Sequence, residues 1–142
     1  MLTTTFDLAR SAGACTAHYR KFAKSVGGIR SYGKDTPIEL TRIAEVCGIL
    51  NALWCLRCTQ QPQEAEKLNR LLAADYSRRI YPKDNRPRWA TACNAAWDAG
   101  AAANAARHTA GVAAWADEQA WQLKHFKAVV LSQNEERGGR KE

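Results

Sequence analysis

Alanine fills 14 of the 27 positions from 90 to 116, and no other feature of the chain limits its fold as strongly. Alanine is the best helix former, so the stretch favours helix. Each alanine also buries little area, so stability there must come from close approach of backbones, with tryptophans filling the wider gaps. Gly111 inside the stretch costs about 1 kcal/mol relative to alanine, which a close helix crossing explains. The repeat is a packing seam.

Helical periodicity continues along almost the whole chain, and period-two alternation of β-branched residues is nearly absent. With 142 residues, the chain is one domain's worth and long enough to bury a core without staples. The expected fold is all-α: a single-domain helical bundle of about six to seven helices with a long Ala/Trp-rich C-terminal helix. Residues 1–132 form that domain, and 133–142, ending in NEERGGRKE, form a charged, flexible tail.

Element starts and stops follow from capping chemistry. Thr5-Phe6-Asp7 opens a short helix ending near Gly13, and Thr16 caps a second that carries Tyr19, Phe22, Ala23 and Val26 and stops at Gly27-Gly28. A loop, GGIRSYGKD, leads to Thr36-Pro37-Ile38-Glu39, which reads as a capping box with proline at the first helical position. That helix turns Ile38, Ile43, Val46 and Cys47 inward and ends at Gly48. ILNALWCLRC, residues 49–58, is too apolar for a surface helix and is placed centrally. After Gln60-Gln61-Pro62 a helix over roughly 64–80 presents Leu68, Leu71, Leu72 and Asp75 on one side. The segment 81–89 is first of all a joint: Asp84 and Asn85 suit an N-cap, and Pro87 is tolerated only in a first turn. The helix it starts runs to about Asp98, with a break at Gly100, and a long helix from about 101 to 132 buries Val112, Trp115, Ala116, Ala120, Leu123, Phe126 and Val130.

The net charge of +7 is uneven. Residues 1–36 carry six Lys/Arg against two acids, and 63–88 carry seven against four, whereas the other segments are balanced. Such a field attracts an acidic protein face or a nucleic-acid backbone. The densest basic and aromatic cluster is Arg78, Arg79, Lys83, Arg86 and Arg88, interleaved with Tyr81 and Trp89. It has the make-up of a protein interface hot spot, and the same mixture could hold phosphates. The expected partner-binding set is Arg78, Arg79, Lys83, Arg86, Arg88 and Trp89.

Chemistry-bearing patterns are sparse. Cys55-x-x-Cys58 lacks the second ligand pair of a zinc site and sits in an apolar helix, so both thiols read as core. His18, His108 and His125 lie far apart in the chain, and His125 reads as a helix flank. No phosphate loop is present. Asp117-Glu118 and Glu135-Glu136 are adjacent rather than a turn apart and read as solvent charges. Asp75 points inward with its leucines, and a buried carboxylate needs a cation; Arg57 is the expected partner, with Arg79 and Arg88 as rivals. No enzymatic role, metal or cofactor is expected. Five cysteines, an odd number, together with an opening MLTTTFDLAR that lacks a secretory pattern, point to a reducing, cytoplasmic setting. No stretch approaches the length of a membrane span.

TPIELTRIAEVCGILNALWCLRC, LLAADYSRRIYPKDNRPRWA and the Ala/Trp-rich helices after them together resemble the Imm-5-like immunity proteins, small bacterial and phage proteins, over roughly residues 36–120. NALWCLR and DNRPR carry most of the likeness. The resemblance implies an all-helical protein without catalysis that binds and neutralises another protein, such as a toxin. A phage product blocking a bacterial defence complex, of anti-CRISPR type, belongs to the same physical class. The alternative is a small basic nucleic-acid-binding protein.

Overall fold

The first residues are extended because other segments pair with them. Thr3–Thr4 (β1) runs antiparallel to Ile38–Glu39 (β2), with Thr3 opposite Glu39 and Thr4 opposite Ile38. On its other side Thr3 accepts from the Gln60 amide (2.8 Å), and the Thr4 hydroxyl donates to the Cys58 carbonyl (2.6 Å). The computed structural model describes residues 1–79, 92–106 and 114–140, with side chains except at 100–106, 114–115 and 137–140. Among them are eight α-helices, one 3-10 turn and this two-residue ladder, so the fold is all-α. Two compact units are distinguished, Met1–Glu66 and Lys67–Glu142.

In the first unit α1 (Phe6–Ser11) starts at Thr5, whose hydroxyl accepts from the Leu8 amide (3.1 Å) as an N-cap. Thr16 is not a cap but the first residue of α2 (Thr16–Ser25), which stops before Gly27-Gly28. The segment expected to be a loop contains a short helix, α3 (Ile29–Tyr32). These helices meet on Phe6, whose ring lies 5.4, 5.8 and 5.9 Å from those of Tyr19, Phe22 and Tyr32.

The capping box at Thr36 does not form. The Thr36 hydroxyl donates to the Tyr32 carbonyl (2.6 Å), and Ile38 and Glu39 are drawn into β2. Helix α4 (Leu40–Cys47) therefore starts later, with Glu39 at its N-cap and the Leu40 amide bonded to Leu2. Tertiary pairing has overridden a local signal. Gly33 closes α3 at φ +101°, and a Cβ there would strike the Thr36 hydroxyl. Gly33→Ala is accordingly expected to lower stability by about 1–3 kcal/mol, read as a shift of the urea midpoint; an unshifted midpoint would show that this turn relaxes freely.

Gly48, at φ +96°, separates α4 from α5 (Ile49–Trp54) in a backbone conformation that other residues rarely adopt. A 3-10 turn, Cys55–Cys58, follows. As the composition of 49–58 implies, Ile49, Ala52, Leu53, Cys55, Leu56 and Cys58 are all buried.

Helix α6 (Pro62–Ser77) begins in the first unit and continues into the second. Leu68 and Leu72 are fully buried, but Leu71, expected beside them, is 42 % exposed. Helix α7 (Ala92–Ala106) starts where the Asn69 side chain accepts from the Ala92 amide (2.7 Å), and it passes through Gly100 without the expected break. Ala92, Ala95, Ala96 and Ala99 are buried at helical spacing and form the expected seam.

Helix α8 (Ala114–Arg140) packs against α7 and continues through most of the segment read as a tail. Its buried stripe is Glu118, Gln122, Phe126 and Val130, whereas Ala116 and Ala120 face solvent and Leu123 is half-buried. Two polar residues occupy core positions: Glu118 is paired with Arg79, and the Gln122 amide nitrogen donates to the Ala96 carbonyl while its Oε1 has no partner among the described residues. The joint at 81–89 and Val112 lie outside the described residues, as does the burial of Trp115.

Candidate functional site

The last turn of α6 places Asp75 and Tyr76, the turn just after it places Arg79, and α8 answers with Glu118, Trp121, Gln122 and His125. The Arg79 guanidinium forks onto Glu118, Nε to Oε1 at 3.2 Å and Nη2 to Oε2 at 2.8 Å. Asp75 Oδ2 lies 2.8 Å from His125 Nε2, and Asp75 Oδ1 accepts from Arg78 Nη1 at 2.8 Å. Because Asp75 meets the later α8 residue His125 and Arg79, just past α6, meets the earlier Glu118, the two helices run antiparallel.

Between these contacts lies the Trp121 indole. Arg79 sits 3.9 Å from its centroid, and His125 stacks on it at 4.9 Å and 9°. Tyr76 meets Trp121 and His125 edge-on, and its hydroxyl donates to the Gln122 carbonyl (3.1 Å). Burial, then the nearby Asp75 and Glu118 charges, push the Tyr76 hydroxyl up from its ordinary value, so it stays a proton donor. The Gln122 amide donates to the Ala96 carbonyl (2.9 Å), tying α7 to the same knot.

Two sequence expectations are corrected here. Asp75 does have a cationic partner, but it is Arg78, and its other carboxylate oxygen lies against the His125 ring; Arg57 instead bonds the Trp54 carbonyl and lies over the Trp54 ring at 4.6 Å. Arg57 follows Trp54 by three residues and folds back on its own turn, while His125 reaches Asp75 from α8. Glu118, read as a solvent charge, is 6 % exposed and paired with Arg79. Of the expected partner-binding set, Arg78 and Arg79 are described: both are held by carboxylates, yet remain 51 % and 38 % exposed. Lys83, Arg86, Arg88 and Trp89 lie outside the described residues.

A second candidate lies in the first unit. Arg10, Arg20, Lys21, Lys24, Arg30 and Lys34 are all exposed, and none of the six forms an ion pair with a carboxylate among the described residues. Arg10, Lys24 and Arg30 stand in the last turns of α1, α2 and α3, where cations complement the helix dipole. That role does not use up their charge. The tyrosines of this surface, Tyr19 and Tyr32, are spent on Phe6.

No disulfide joins any of the five cysteines. Among the described residues no group of three His, Cys, Asp or Glu is placed to hold a metal ion, and no helix is long and apolar enough to cross a membrane. Sequence reasoning missed His125, Glu118 and Gln122. The signal was the complementary order of Asp75…Arg79 and Glu118…His125, which pairs only between antiparallel helices. No protein-family model matches the chain, and neither does any curated protein or solved structure.

Proposed function

We propose that the protein binds an acidic face of a partner protein stoichiometrically and acts by covering it, without catalysis. The observation that carries this reading is the set of six exposed cations between Arg10 and Lys34 with no carboxylate partner among the described residues. Cations held apart from intramolecular acids keep their field for an incoming surface and raise encounter rates. Arg78 and Arg79, in the second unit, are oriented by Asp75 and Glu118 yet still exposed and are separate candidates for the same role. An immunity-like protein neutralising a toxin and a phage-encoded, anti-CRISPR-type inhibitor of a defence complex are two cases of this mode. The bacterial cytoplasm is where either would meet its target.

The nucleic-acid reading rests on the same cations, but base stacking requires free aromatic faces, and Tyr19 and Tyr32 are occupied. The protein reading is therefore preferred. Its test is a partner captured from host extract and rebuilt from purified components. The expected result is a one-to-one complex on size exclusion whose association rate falls on the order of 10–100-fold in Arg20→Glu/Lys21→Glu/Lys24→Glu, with the melting temperature unchanged. Equal affinity of variant and wild type would remove this face from the interface. Retardation of random duplex DNA that weakens steeply with salt would favour the alternative.

A further inference from the structure

The thiols of Cys55 and Cys58 belong to neither the ion-paired knot nor the basic face. They occupy the two ends of one 3-10 turn. Such a turn has three residues and rises about 2 Å per residue, so its ends eclipse about 6 Å apart, inside the range of about 4.4–6.8 Å between Cα atoms that a disulfide spans. The Cys58 thiol donates to the Cys55 carbonyl (3.4 Å), and the Thr4 hydroxyl lies 3.7 Å from the Cys58 sulfur.

We infer that Cys55 and Cys58 form a redox-active dithiol that exchanges with small disulfides of the glutathione class, closing a disulfide across the turn. Cys58 is the attacking sulfur. Once Cys58 is deprotonated it no longer donates to the Cys55 carbonyl, and a hydrogen bond offered by the Cys55 thiol pulls Cys58 down to about 7 against the opposing effect of burial, with the Thr4 hydroxyl and the Arg57 charge in support. The same hydrogen bond, then burial, pushes Cys55 up, so in the reduced pair the proton stays there.

The Cys58 thiolate attacks one sulfur of the small disulfide, whose S–S bond breaks and whose other half leaves as a thiolate. The Cys55 thiol then gives its proton to solvent, and its sulfur attacks that of Cys58 in the mixed disulfide, expelling the second thiolate. The dithiol loses two electrons, and the small disulfide is reduced to two thiols. Both cysteines are 7 % exposed, and Thr4, which touches Cys58, belongs to a ladder only two residues long. Local opening of this short ladder, with release of the Thr3 and Thr4 bonds to residues 58–61, admits the reagent. Closure fixes the turn that leads from α5 to α6. None of this depends on the binding reading.

The test uses the full chain, equilibrated at pH 7 with graded ratios of reduced and oxidised glutathione, quenched with acid, alkylated and digested with trypsin. Cleavage after Arg57 leaves a Cys55–Cys58 bridge joining residues 43–57 to 58–67. The joined pair is expected to accumulate as the oxidised fraction rises, to persist in Cys47→Ser and to vanish in Cys55→Ser and in Cys58→Ser. Fragmentation of the wild-type pair assigns the bridge even where a serine variant does not fold. Absence of the pair at every ratio, or a bridge that runs through Cys47, would overturn the inference.

Discussion

Leu72→Ala is expected to lower the free energy of unfolding by about 2–5 kcal/mol, whereas Leu71→Ala, one position away, changes it by about 0.5 kcal/mol at most. The chemistry of the two substitutions is identical, so the difference reports environment alone. Leu72 is fully buried and Leu71 is 42 % exposed. Alanine at 72 loses both the transfer free energy of the leucine and the contacts around the space it leaves. Urea titrations with unchanged slopes would give the two values directly. Equal midpoints for the pair would mean that α6 turns a different face inward.

Arg79→Met is the second large effect. It strands the Glu118 carboxylate, 6 % exposed, without its fork of donors. An ionised acceptor left in that position costs about 1–3 kcal/mol, the lower end being set by water that still reaches the 38 %-exposed arginine. Glu118→Gln leaves a neutral amide in place of the charge and is expected to cost less. The double variant should be more stable than the sum of the two predicts, because the second change removes the charge that the first one stranded. A cycle measured by thermal or urea unfolding gives the coupling, and Trp121 fluorescence reports loss of the guanidinium from its ring. Strict additivity would mean that the fork contributes nothing.

Much of the architecture was legible because helical period and glycine stops are local properties. Gly27-Gly28 and Gly48 ended helices where expected, and the apolar run 49–58 lies in the core. What local reasoning could not supply was phase and partnership. Leu71 and Leu72 both fit a period of 3.6, and only packing decides which one turns inward. Thr36 has every property of a cap, but its hydroxyl goes to Tyr32 because the extended segment at Thr3–Thr4 claims Ile38 and Glu39. A rule about four consecutive residues cannot see a strand more than thirty positions away.

The candidate site was legible in type more than in membership. Asp75 does pair with a cation, but that cation is Arg78, and the second partner of Asp75 is the His125 ring. Arg57 was the nearest arginine in an apolar setting, whereas His125 lies on a helix whose polar residues looked like a solvated flank. Glu118 breaks hydropathy patterning on α8 because hydrogen bonds from Arg79 offset the cost of taking it from water, and for Gln122 the bond to the Ala96 carbonyl offsets that cost in part.

The row of Ala92, Ala95, Ala96 and Ala99 on α7 carries a further consequence. Methyl groups have no rotamers to freeze, so this contact becomes ordered as soon as the backbone does, with no side-chain entropy left to lose. The same economy sets a ceiling on volume: glycine at these positions forfeits about 1 kcal/mol of helix preference, and any bulkier residue forces the helix axes apart. Such a contact leaves its sequence almost no room to drift while the surfaces around it remain free to change.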